Sequence, residues 1–577
     1  VAYLGDNVSF HVEASGSPNY WWLKNGANLC DTERIGGTRD DTLYLDNVQA
    51  SDTASYRVRI WDEYGVTNSR TVTLRVITQV AFADPRLEQV VRDHLGIPTR
   101  PLVPADVAPL TWLNAWNRGI TNLSGIESLA NLDMLNLDSN PGLTDLAPLL
   151  QLPRLTRLNL NNCGVRDLAF VAALPPLTEL HVWGGRFTDL APLLSQTGLQ
   201  WLNLGNNPGL ADFTVLDHLT EIQYLWLDSV GLTNLAFVGY MPQLVELNLW
   251  NNAVSDLTPL AAVPQLVRLN VGANQLTDLS FVGNLPGLER LEVSENPISD
   301  LTPLIGLTHL TQLGIGATLA TNLAPVATLT NLTELSVRGL GLAHNLSFLA
   351  PLTRLQWLGL EDNGISALPA YPSLDRLIGL NLSGNPLADL ASIVARTNLS
   401  HLYLNNTGLS DLSALAGHTN LNNLGLADNQ LTDLSPLATL PHLRWVSLWN
   451  NQVQNLAAFA GLTNLDYVDL RYNWLNTNSG SAAMTIIGLL QGRGAFVEYE
   501  PQNLSPGEVV LRAPAWLGGN QFRFTIDGPP GALLEIWRST DWNHWDSLGF
   551  VTNNTGTTVF TDSAAPASRA FYRAQLP

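Results

Sequence analysis

The chain has 577 residues, 45% of them hydrophobic and only 14% charged, and its 29 basic and 50 acidic side chains leave a formal net charge of −21. This acidity sets it against nucleic acid phosphates and anionic lipid, so neither is expected as a partner. No apolar run reaches the 18 residues of a membrane-spanning helix. The two cysteines, Cys30 and Cys163, are too few for a disulfide framework. Lys24 is the only lysine.

Residues 1–77 alternate in the manner of a β-sandwich. YWWLKNG carries Trp22 where such a domain keeps its core tryptophan, and Asp52-Thr-Ala-Ser-Tyr56 carries the tyrosine of a strand corner. The stretch resembles an immunoglobulin-like domain. Val12 and Val58 stand at the family's two half-cystine positions, where two apolar side chains fill the same space. The opening VAYLGDNVSF reads as mid-domain. It predicts a missing or shortened first strand before Gly5 and a longer parent chain.

Residues 78–109 form a helical cap and junction. Asp84 is a helix cap, Pro85 opens the first turn, and Leu87, Val90, Val91 and Leu95 follow at helical spacing. Residues 110–476 repeat. Aligned on the first leucine, they read L-x-x-L-x-L-x-x-N-x-L-x-D-L-x-P-L, as in LVELNLWNNAVSDLTPLAAVPQ (244–265) and LNNLGLADNQLTDLSPLATLPH (421–442), with 17 turns mostly of 22 residues. The pattern resembles the short leucine-rich repeat of bacterial internalin-type proteins. That resemblance implies an α/β leucine-rich-repeat solenoid with a parallel sheet on its concave face. The asparagine at position nine is expected to bond the backbone of the neighbouring turn. Cys163 occupies that slot and is therefore read as structural. Residues 477–502 look like a closing helix and strand, since stacked repeats need a cap. Residues 503–577 resemble a small β-sandwich module of secreted bacterial proteins, with Trp537, Trp542 and Trp545 at its core and rim.

In each repeat, positions four and six point inward and positions three, five and seven point outward. Nine of the 17 tryptophans take outward positions. Strand propensity alone does not produce that, because other strands are almost bare, with Gly314 and Gly316, or Gly425 and Ala427, or Gly379 and Ser383 at outward positions. One outward cluster joins Trp183, Trp201, Tyr224, Trp226 and Trp250 with His181, Asp228, Glu246 and Arg268. Trp183 and Trp250 are expected to flank a gap of roughly 14 Å floored by Gly205 and Asp228. A second cluster joins Trp445, Trp449, Tyr467 and Arg471, with Tyr472. Apolar patches of this kind mark binding sites, and Trp, Tyr and Arg dominate interface energetics.

Catalytic signatures are lacking. There is no P-loop, H-E-x-x-H or C-x-x-C, and His181 near Glu179 has no nucleophile, so the pair is read as a polar contact. Neither a cofactor nor a metal is expected. Two functions compete. The first is an extracellular adhesion protein, secreted or held at the cell surface, that binds a protein or a glycan on the concave face. The second is a structural subunit of a fibre, sheath or surface layer, in which copies join through the terminal sandwiches and the edge left by a shortened first strand.

Overall fold

A computed structural model describes residues 1–343, 345–387, 389–503, 509–518, 520–528, 532–540, 544–566 and 570–575. The chain forms two compact units, Val1–Asn274 and Gln275–Pro577.

The first unit opens with the β-sandwich. Asn19–Lys24 pairs antiparallel with Ala54–Asp62, and Val8–His11 with Thr42–Leu45. Alternation along these strands sends Trp22, Tyr56 and Val58 into one core, against which Val12 packs. The valines thus take up apolar space where a disulfide would otherwise lie. The Tyr56 hydroxyl donates to the Asp52 carbonyl at 2.9 Å, which satisfies a polar group buried in that core. A strand does precede Gly5: Ala2–Tyr3 runs parallel to Val76–Ile77. The first strand is thus present but only two residues long, and those two residues are paired.

The helix Pro85–Leu95 follows. One Asp84 carboxylate oxygen accepts from the Arg86 amide at 2.8 Å, and the other from the Thr121 amide at 2.7 Å. One side chain therefore caps the helix and fastens it to the first turn of the array. Leu87, Val90 and Val91 are buried, and Leu95 is partly exposed.

Eighteen short strands carry the array. Eight lie in the first unit, from Trp112–Asn114 to Arg268–Asn270. Ten lie in the second, from Arg290–Glu292 to Phe496–Glu498. Within each unit the strands pair in parallel and in sequence order, so leucine stacks on leucine, as in Leu113, Leu135 and Leu158. Single-turn 3₁₀ helices such as Ala147–Gln151 and Thr258–Ala262 make the return. The repeat's aspartate starts many of them: Asp145 accepts from the Ala147 amide at 2.9 Å and Asp433 from the Ser435 amide at 2.8 Å.

The ninth-position asparagines bind adjacent turns. The Asn140 amide nitrogen donates to the carbonyls of Leu137 and Ala115 at 2.6 and 2.9 Å, and its oxygen accepts from the Ile120 amide at 2.8 Å. Cys163 fills this slot with a thiol that donates to the Leu137 carbonyl at 3.0 Å. Burial pushes that thiol up to about 11, so it stays protonated and structural.

The helix Ala482–Gly492, capped by Ser481, and the strand Phe496–Glu498 end the array in the second unit. The C-terminal strands form two antiparallel sheets around Phe524, Ile526, Leu534 and Ile536. Trp537 and Trp545 flank the Arg573 guanidinium at 5.2 and 4.4 Å. Trp542 lies outside the described residues.

Candidate functional site

Register fixes two outward rows in the first unit. Glu179, Trp201, Tyr224, Glu246 and Arg268 stand side by side at position three, and His181, Asn203, Trp226, Asn248 and Asn270 at position five. These rows face away from the leucines because side chains alternate along a strand.

Tyr224 and Trp226 are half-buried. Their cover is other aromatics: Trp201 packs 5.1 Å from Tyr224 and 5.8 Å from Trp226, centroid to centroid. His181 meets Trp201 edge-on at 5.0 Å, instead of making the expected contact with Glu179. An indole is large enough to reach its diagonal neighbour across two strands. Burial against that ring lowers the imidazole to about 4, so His181 is neutral near pH 7. Glu246 ties the cluster together, accepting from the Trp226 indole at 2.9 Å and from the Arg268 Nε at 2.5 Å. The Arg268 guanidinium lies 5.6 Å from the Tyr224 ring centre.

The gap expected between Trp183 and Trp250 is partly closed. The Trp183 indole lies across Gly205 and donates to Asp228 at 2.8 Å. A Cβ at Gly205 would fall 2.5 Å from that indole and 2.3 Å from the Asp228 carboxylate. What remains is a shallow depression of about 360 Å³, bounded by Trp183, Trp226 and Trp250, with Asp228 and several asparagines between them.

The bare glycine strands have the same explanation in the second unit. Trp357 lies over Gly379, Glu292 over Gly314 and Tyr403 over Gly425. These glycines are seats for a neighbour's side chain. The Trp357 ring, resting on Gly379, reaches His401 at 4.8 Å.

The second cluster divides in two. Trp445 stacks on Tyr467 at 5.8 Å, and Tyr467 on Phe496 at 6.0 Å, both nearly parallel. Trp449 instead pairs edge-on with Tyr472 at 5.5 Å. Arg471 is held by Asp469 at 2.8 Å and Glu498 at 2.6 Å. Phe496, 63% exposed, extends the stack onto the closing strand. Sequence reasoning missed it because that strand lies outside the leucine frame; the signal available was the alternation in AFVEYEPQ. Trp112 and Trp116, at 50% and 55% exposure, are the most open tryptophans on the outward positions.

Comparison with known proteins places the modules. The family of Leucine Rich repeats (2 copies) matches residues 242–284 and 397–439. The Immunoglobulin I-set domain matches residues 1–76. A curated relative, a Roc-COR-CHAT protease from an unknown prokaryotic organism, is 29% identical over 124 residues, which make up 22% of this chain and 12% of that protein. Similar solved structures include an internalin, inlF, from Listeria monocytogenes, at 24% identity over 67% of this chain and 95% of that one, with a TM-score of 0.35. Internalin C2 of the same organism is 26% identical over 44% and 94% of the two chains, with a TM-score of 0.28. The leucine-rich repeat domain of APL1B is 20% identical over 54% and 92%, with a TM-score of 0.34. The chain thus carries leucine-rich repeats and, at its N-terminal end, an immunoglobulin I-set domain.

Proposed function

We propose that the protein is an extracellular or cell-surface binding protein that holds a protein or glycan partner on the outward strand face of its repeats. The observation that carries this reading is the cluster of Trp183, Trp201, Tyr224, Trp226 and Trp250, none of which belongs to the leucine core. An array needs only its leucines and asparagines to stack. Five large aromatics on the opposite face therefore call for another role, and interface anchors are drawn from these residue types. The surface is read as binding and not as catalytic. His181 is neutral and packed on an indole, and the Glu246 and Asp228 carboxylates already accept indole N–H groups.

The test is adhesion of beads coated with the intact chain to cell monolayers. The double variant Trp226→Ala/Trp250→Ala is expected to lose adhesion and keep its strand content, while Trp112→Ala keeps both. Undiminished adhesion by the double variant defeats the reading.

A second reading, assembly with copies of itself, draws support from the edge strand Gly65–Asn68. It is exposed along its length, with Val66 beside the exposed Tyr64, and among the described residues it pairs only with Ala54–Asp62. Light scattering over a concentration series separates the two readings, since a monomer at all concentrations removes the second.

A further inference from the structure

The depression between Trp183, Trp226 and Trp250 has a composition of its own. Asn161, Asn203, Asn248 and Asn270 line it. Each uses its side-chain oxygen to accept a backbone N–H: those of Trp183 at 2.8 Å, Gly205 at 3.0 Å, Trp250 at 3.1 Å and Gly272 at 3.2 Å. A backbone N–H is only a donor, so the carboxamide oxygen must face it. All four NH₂ groups are therefore turned away from the N–H that their oxygen accepts, with their orientation set, and among the described residues none of them has a protein acceptor. Asp228 supplies the one charge. One of its oxygens is taken by the Trp183 indole and the other is left over.

A ligand for this site must bring several acceptor oxygens and apolar faces for the indoles. Anions bring the oxygens, but Asp228 and the net charge of −21 repel them. A peptide N–H is fixed in direction and needs an acceptor placed for it, and the one charged acceptor lining the site is Asp228, whereas a hydroxyl hydrogen rotates to a neighbouring hydroxyl or to water. A sugar hydroxyl is both donor and acceptor, and a pyranose presents C–H faces that suit the negative face of an indole. The volume of about 360 Å³ falls in the range of small-ligand sites.

From this geometry we infer that the depression binds a neutral hexopyranose oligosaccharide, a conclusion that rests on the binding reading above and names its ligand class. The asparagine fan meets ring and hydroxyl oxygens, Trp250 stacks on a sugar face, and Asp228 accepts one hydroxyl proton.

The experiment titrates the intact chain with maltohexaose, cellohexaose, laminarihexaose, mannohexaose and chitohexaose, followed by calorimetry and tryptophan emission. At least one is expected to bind saturably. Asn270→Asp keeps its backbone acceptor and replaces its donor, so it is expected to weaken that sugar at least tenfold with the strand content kept. Trp250→Ala is expected to weaken it at least tenfold as well, and Trp112→Ala to leave it unchanged. No heat and no emission change with any of the five overturns the inference, as does equal affinity in the Asn→Asp variant. If the sugars fail while Trp226→Ala/Trp250→Ala still abolishes bead adhesion, the partner is a protein and the binding reading stands. If adhesion too ignores that variant, the binding reading falls with it.

Discussion

Gly205→Ala tests the idea that bare glycines seat their neighbours' side chains. The backbone there is ordinary, so strain is not at issue; only space is. The new methyl would sit 2.3 Å from the Asp228 carboxylate and 2.5 Å from the Trp183 ring, far inside contact distance, so one or both must swing away. The 2.8 Å bond from the Trp183 indole to Asp228 would then break. A hydrogen bond to a charged group contributes about 1.5–3 kcal/mol. Replacing glycine returns about 0.4–1 kcal/mol by restricting the unfolded chain. The net expectation is a loss of about 1–2 kcal/mol. Gly239→Ala is the control, because a Cβ there meets nothing within 4 Å, and it is expected to gain about 0.4–1 kcal/mol. Urea unfolding followed by circular dichroism gives the stabilities, and emission reports whether Trp183 has moved into water. The reasoning fails if Gly205→Ala matches the control in midpoint and leaves the emission maximum in place.

Three further outcomes are expected. Asn140→Ala removes the bonds to Leu137, Ala115 and Ile120 in a fully buried slot, at about 3–5 kcal/mol for several stranded groups; unchanged exchange protection at the Ile120 amide would contradict it. His181 has a folded pKa lowered from 6.5 to about 4 by burial, so the unfolded chain takes up the proton first. Its contribution to stability is complete above pH 6.5 and declines as pH falls from there towards 4, by about 3 kcal/mol in all; an NMR titration placing its midpoint near 6.5 would refute the buried placement. Tyr56→Phe deletes the buried 2.9 Å bond to the Asp52 carbonyl and is expected to cost the sandwich about 1–2 kcal/mol by calorimetry, with no change expected in bead adhesion.

Much of the array is legible because its physics is periodic. A leucine at positions one, four and six must face inward, and an asparagine at nine has only backbone to bond, so Leu132, Leu135 and Asn140 could be placed from spacing alone. The outward rows follow from the same alternation. The directions in which outward side chains lean do not. Trp183 reaches an aspartate 45 residues ahead because Gly205, on the strand between, lets its ring lie flat, and no period encodes that choice. Alternation puts the fifth-position asparagines on the outward face, but it does not show that each one lining the depression spends its oxygen on a local backbone N–H. His181 and Glu179 share a strand, but the indole on the next strand takes the histidine instead. Neighbours one or two strands away decide such details, and a linear reading does not see them.

Hydroxyl-radical footprinting of the intact chain, with and without the surface to which it adheres, shows whether the aromatic strand face of the first unit is the contact surface. Protection is expected at Trp183, Trp226 and Trp250, with Trp112, Tyr64 and Val66 as reactive as in the free chain. Protection at Tyr64 and Val66 with the three indoles still reactive would place the contact on the immunoglobulin domain and contradict that expectation.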